Sequence, residues 1–183
     1  MGEFEDKARK ALQLPNFTEF FSLLSKTDKY SHSELATEAV EVATVHRNID
    51  ALRQLASLEV DSFYTERLFE KVLQALVDLK AIETATTIVV FCKTKIDSDT
   101  KWYLFATALL NSGNYSSVND IFDYIKQPYQ RSVIARKCLD KISPVQLLLD
   151  WLEWFDRYAQ ETDNLSLEFI KSAVDALSTS NCL

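Results

Sequence analysis

Glycine is almost missing from this chain. Its 183 residues include two, Gly2 and Gly113, where an average composition of roughly 7% would supply several times as many. Three prolines complete the short set of backbone breakers. Sheets need frequent turns, and turns recruit Gly, Pro and Asn, so this poverty argues for helices joined by tight polar links. It also removes phosphate-cradling loops: neither a P-loop nor a dinucleotide fingerprint can be assembled from two isolated glycines. Cysteine is as sparse. Cys92, Cys138 and Cys182 are odd in number, widely spaced and free of any CxxC pattern. No zinc or disulfide framework is indicated, and a reducing compartment is the simple reading. Histidine is limited to His32 and His46, which on one straight helix would stand about 20 Å apart and could not share a metal. His32 reads as a capping or solvent-facing residue at a helix start, and His46 as a turn residue. No Gly-x-Ser-x-Gly elbow and no Cys/His pair with an orienting third group is present. No run of about 18 apolar residues occurs, and MGEFEDKARK has no apolar centre. The sequence therefore predicts neither a helical membrane span nor a signal peptide. If MGEF is a cloning leader, the chain is a fragment of a longer one.

What is present is helical and acidic. Hydrophobic residues make up 47% and charged residues 26%, enough for a continuous core under a solvated surface. Net charge is −7 and pI about 4.9. A nucleic-acid binder needs a basic surface to neutralise phosphates, and anionic membranes make the same demand, so both are disfavoured. The Asn-x-Ser/Thr triplets at Asn16, Asn114 and Asn164 matter only in a secreted protein, and they are read as chance.

The residues then repeat. In WYLFATALLNSGNYSSVNDIFDYIKQP, Trp102, Phe105, Ala106 and Leu109 fall on one helix face. Gly113-Asn114 ends that helix. A second helix turns Tyr115, Val118, Phe122 and Ile125 inward, completing an antiparallel pair. A step of 33 backwards gives Phe69, Val72, Leu73 and Leu76, then Ile82, Ala85, Val89 and Cys92. A second step gives Ala36, Ala39, Val40 and Ala43, then Ile49, Leu52 and Ala56, with Glu59 breaking the pattern. A step forwards gives Ala135, Cys138, Leu139 and Ile142, then Leu148, Trp151, Phe155 and Tyr158. The expected architecture is all-α: stacked antiparallel helix pairs, an α-solenoid of about four repeats. It is expected as one domain over 1–183, with an irregular leading hairpin in 1–30, repeats in 31–160, a closing helix in 161–178 and a frayed tail in 179–183.

The Trp102 unit resembles a tetratricopeptide repeat: Trp, a large apolar, a small residue and an apolar at the right offsets, Gly-Asn-Tyr at the turn, an aromatic at Phe122 and a proline near the end. The likeness is full for this unit and partial for its neighbours, where Leu52, Leu73, Leu139 and Val118 fill slots the family gives to small residues. The period of 33 is one short of the tetratricopeptide's 34, and pentatricopeptide repeats and other α-solenoid pairs fit as well. The resemblance implies a right-handed superhelix whose first helices line a concave, partner-gripping face. By offset, that face carries Thr37, Glu41, Glu70, Gln74, Tyr103, Thr107, Arg136 and Asp140. The Lys and Asn that clamp a terminal carboxylate in some relatives are replaced here by Thr37, Glu41, Glu70 and Gln74.

Three further features stand out. Lys126, Arg131, Arg136, Lys137 and Lys141 concentrate positive charge in an acidic chain, as a solvated helix, an acidic-partner patch or a nucleic-acid patch. Arg136 and Asp140 are four apart and able to pair along a helix. Trp154 falls out of phase with Trp151, Phe155 and Tyr158, which marks it as a packing residue under the closing helix or a binding anchor. Asp150, Glu153, Asp156 and Glu161 read as a solvated face. The expectation is therefore a non-enzymatic, intracellular scaffold or adaptor, cytoplasmic or nuclear. It needs no cofactor or metal and binds a peptide or helix of a partner protein. Its runner-up is an RNA-binding, pentatricopeptide-like domain.

Overall fold

The structure, a computed structural model, describes residues 2–60 and 62–139. The expected closing helix, Asp140, Lys141 and the aromatic cluster with Trp154 lie outside the described residues. Within them the chain is helical, with no strand: α1 (Glu3–Gln13), α2 (Phe17–Leu24), α3 (Lys29–Val45), α4 (Ile49–Ala56), α5 (Ser62–Asp78), α6 (Ile82–Phe91), α7 (Ser98–Asn111), α8 (Tyr115–Ile121), a single 3-10 turn (Phe122–Tyr124) and α9 (Pro128–Leu139). The backbone forms two compact units, Met1–Ala108 and Leu109–Leu183, dividing within α7. No helix among the described residues is long and apolar enough to cross a membrane.

Local chemistry sets the helix ends. Asn16 and Asn48 cap α2 and α4, their side chains accepting from the N–H of Glu19 (3.2 Å) and Ala51 (3.0 Å). Asp28 caps α3, accepting from the N–H of Tyr30 (2.9 Å) and Ser31 (3.1 Å). Each such cap satisfies donors that the first helical turn leaves unpaired. The stops share one geometry. Arg47, Lys80 and Gly113 adopt left-handed φ of 53°, 63° and 73°. At these turns the N–H groups of Asn48, Ala81 and Asn114 each bond the carbonyl five residues back at 2.8 Å. The N–H groups of Arg47, Lys80 and Gly113 bond the carbonyl three back, at 3.1, 2.9 and 3.0 Å. This paired closure is the Schellman arrangement, which consumes carbonyls the helix end would otherwise leave bare.

In the first unit, α3 packs on α1, α4 and α5, while α5 packs on α4 and α6. Phe20, Leu24, Leu35, Leu52, Leu55, Phe69, Leu73 and Leu76 are essentially inaccessible, and each fully buried side chain of this kind contributes about 2 kcal/mol of transfer free energy. Phe17, Phe20 and Phe21 cluster edge-on and tilted at centroid separations of 5.4–6.4 Å. Ala36, Ala39, Val40 and Ala43 are buried, as are Val72, Trp102, Phe105 and Ala106. Ile49 and Ile82, at the first position of their helices, are only half-buried.

In the second unit, Val118, Phe122, Ile125, Ile134, Ala135 and Cys138 are buried. Leu109 begins this unit and is also buried. Burial pushes the Cys138 thiol up to about 12, so it behaves as a small core hydrophobe. Cys92 departs from the core position assigned to it. It caps the C-terminus of α6 and is half-buried, its sulfur 3.3 Å from the Ala56 carbonyl oxygen.

Candidate binding cleft

Between α3 and α5 runs a cleft of about 410 Å³. α3 contributes Tyr30, Ser33, Glu34, Thr37, Glu38 and Glu41; α5 contributes Tyr64, Arg67 and Lys71. The spacing explains the α3 wall: 30, 34, 37 and 41 recur at intervals of four and three, one stripe of an α-helix. On the other side of that stripe, Leu35, Ala36, Ala39 and Val40 are buried. α3 is thus held by its apolar face and presents its polar one.

The two walls differ in charge. Glu34, Glu38 and Glu41 line α3, and Arg67 and Lys71 line α5. Glu38 is braced from behind by Arg9 of α1, which donates from Nε at 3.2 Å and from Nη2 at 3.0 Å. Arg9 also lies 3.4 Å from Glu34. The Glu38 carboxylate raises the Arg9 pKa above its ordinary value. Across the cleft Lys71 stands 3.8 Å from Glu41; both are well exposed, so the pair adds about 1 kcal/mol at most. Arg67 is exposed and makes no ion pair among the described residues. The mouth is marked by Tyr30, 72% exposed.

Of the residues assigned by offset, the structure brings Thr37 and Glu41 into this cleft. Thr37 is half-buried and spends its hydroxyl proton on the Ser33 carbonyl at 3.0 Å. Glu70 and Gln74 lie on α5 outside the cleft lining. Glu70 is exposed, and the Gln74 amide donates to Asp78 at 3.0 Å. Tyr103 and Thr107 are half-buried on α7, joined by a 3.0 Å bond from the Thr107 hydroxyl to the Tyr103 carbonyl. Arg136 is exposed on α9; Asp140 and Trp154 lie outside the described residues.

Sequence reading missed Tyr30, Ser33, Glu34, Glu38, Tyr64, Arg67 and Lys71. The signal was available in the helical spacing of both walls. Glu34 and Arg67, Glu38 and Lys71, and Thr37 and Glu70 are all 33 residues apart, yet only the first two pairs have both members in the cleft lining, so the offset alone does not decide which residues face it.

A second hollow, of about 540 Å³, lies among α2, α3 and α4. Its lining includes His32, which does not serve as the cap of α3; Asp28 does. His32 is half-buried, and burial lowers its pKa. His46 is an exposed C-cap residue.

The basic stretch is dispersed by folding. Lys126 donates to the Asp123 carbonyl at 2.8 Å, and Arg131 is buried with its Nε on the Ile125 carbonyl. Arg136 and Lys137 are exposed. Among the described residues no group of three or more His, Cys, Asp and Glu could hold a metal. No protein-family model, curated protein or solved structure matches the chain.

Proposed function

We propose that the chain is a non-enzymatic interaction module of helical repeats, a scaffold or adaptor that takes a peptide or helix of a partner protein in the α3–α5 cleft. The observation that carries this reading is the cleft itself, with a glutamate wall facing an Arg67–Lys71 wall. Opposed charges in an open groove fix the register and orientation of a polar ligand more than they add affinity. The repeat reading, about four pairs stacked as an α-solenoid, is supported by the left-handed closures at Arg47, Lys80 and Gly113, each 33 residues from the next. It is supported further by the burial of the first-helix positions that recur at that step, from Ala36 through Phe69 to Trp102 and their partners. Nucleic acid is the weaker reading, given a net charge of −7 and a basic stretch whose Lys126 and Arg131 serve backbone carbonyls. An intracellular setting, nuclear or cytoplasmic, fits the free Cys92 and Cys138 and belongs to the same proposal.

The test is affinity capture from lysate with the full chain and with Arg67→Glu plus Lys71→Glu, each run with and without nuclease. The reading expects a stoichiometric protein that survives nuclease and is lost from the double variant at unchanged helicity. Recovery that vanishes with nuclease, or that ignores the double substitution, contradicts it.

A further inference from the structure

The hollow among α2, α3 and α4 is chemically unlike the cleft. His32 stands about 200° around α3 from Tyr30 and from Glu34, taking 100° per residue. The two concavities thus open on opposite sides of one helix. The apolar part of the hollow is Phe21, Leu24 and Leu58, with Leu24 1% exposed as its floor. Its polar part is Arg53, Gln54 and His32, with Ser25 and Ser57 at the rim. The two serines are committed: their hydroxyls donate to the carbonyls of Ser22 at 3.0 Å and Arg53 at 3.3 Å. In a chain with 27 acidic residues against 20 basic ones, no carboxylate among the described residues lines this space.

Its cation is available. Arg53 is exposed, makes no ion pair among the described residues and donates one bond, to the Thr84 hydroxyl at 3.3 Å. His32 shares the lining with it, half-buried, its Nε2 inaccessible and without a hydrogen-bond partner among the described residues. The Gln54 amide adds a neutral donor at the exposed edge. A cation entering here meets Arg53 and is repelled. An uncharged apolar group covers Arg53 and leaves it unpaired. A lone small anion leaves the Phe21, Leu24 and Leu58 surface bare. A ligand joining an anionic group such as a carboxylate to a hydrophobic side chain answers both halves of the lining.

We propose that this hollow is a second docking site, independent of the cleft, for an acidic, apolar peptide segment of a partner protein. Its carboxylate pairs with Arg53 beside Gln54 and His32, and its hydrophobic side chain rests on Phe21, Leu24 and Leu58. Charge-assisted pairing with a guanidinium supplies the specificity, and the apolar floor supplies area removed from water.

The experiment probes the full chain on three arrays of eight-residue synthetic peptides: one degenerate in Leu, Phe, Asp and Glu, one with Asn and Gln replacing the acids, and one with Lys replacing them. The strongest acidic peptide is then titrated into protein labelled with nitrogen-15 at its imidazoles. The acidic array is expected to retain the chain at least tenfold better than the other two. Arg53→Glu abolishes retention, and Arg67→Glu with Lys71→Glu leaves it unchanged. The ring nitrogens of His32 shift while those of His46 serve as the unmoved reference. If circular dichroism shows that Arg53→Glu does not fold, Arg53→Gln and Gln54→Ala carry the comparison, each expected to weaken binding several-fold. Equal retention on all arrays, preference for Lys, absence of any binding, or binding that leaves His32 unshifted and follows the cleft substitutions would overturn the proposal.

Discussion

The two sides of α3 show how one helix can carry two unlike surfaces. Toward α5 it offers Tyr30, Glu34, Thr37, Glu38 and Glu41, a charged stripe answered by Arg67 and Lys71. Toward α2 and α4 it offers His32, set among Phe21, Leu24, Leu58 and Arg53. On the side away from the charged stripe, Leu35, Ala36, Ala39 and Val40 fix the helix in the core. The cleft is polar on both walls and open to a ligand of either sign at different points. The hollow is apolar with one cation and suits one sign only.

The largest effect that would break this comparison comes from that buried face. Leu35→Ala empties a site with 0% exposure and is expected to cost about 3 kcal/mol, read as a lowered urea midpoint, with both surfaces lost together. If binding at the hollow survives while the cleft is lost, the two surfaces do not share a support.

Smaller effects sharpen the account of the turns that end α3, α5 and α7. Arg47 and Lys80 hold left-handed φ with a side chain attached, and Gly113 holds it without one. Arg47→Gly and Lys80→Gly should each stabilise by about 1 kcal/mol, and Gly113→Ala should destabilise by a similar amount. A Cβ at Gly113 meets nothing within 4 Å, so the cost there is backbone strain alone. Thermal melts of the three variants check this. A Gly113→Ala protein as stable as the parent contradicts the geometry of that turn.

The smallest effect depends on pH. Burial lowers the His32 pKa from the usual 6.5. The unfolded chain therefore binds a proton that the folded one resists. Stability is full above about pH 6.5 and declines as pH falls below it, toward the lowered folded value. His32→Asn should flatten that decline in urea titrations at pH 7 and pH 5. A second loss belongs to lower pH. The Ser31 hydroxyl and N–H hold the Asp28 cap down at about 2, so its contribution is present above the ordinary carboxylate range and fades as the carboxyl protonates.

Much of the fold was legible because helices announce themselves by period. Phe69, Val72, Leu73 and Leu76 on one helix, and Trp102, Phe105, Ala106 and Leu109 on another, were assigned inward and are buried. Gly113 marked its turn openly. Arg47 and Lys80 concealed theirs, because a turn closed by backbone bonds needs no particular side chain. Of the nine residues lining the cleft, the family offset reached two. Thr37 and Glu41 came from the offsets of the resemblance, but which flank of α5 faces them depends on how the two helices roll against each other, and no single-helix pattern reports that. Cys92 misled because its slot falls one residue past the end of α6, where the backbone has already turned extended. His32 misled because YSHSE resembles a helix start, whereas α3 begins at Lys29 under the Asp28 cap.

Photo-crosslinking tests the central claim most directly. A benzoylphenylalanine is placed at position 37 in the cleft, and separately at position 83, where Glu83 is exposed on α6. Each protein is irradiated in nuclease-treated lysate, with and without Arg67→Glu plus Lys71→Glu. The account predicts one discrete protein adduct from position 37, absent from position 83 and suppressed by the double substitution. An adduct from position 83 with none from position 37, or one from position 37 that persists undiminished when the α5 wall is reversed, would contradict it.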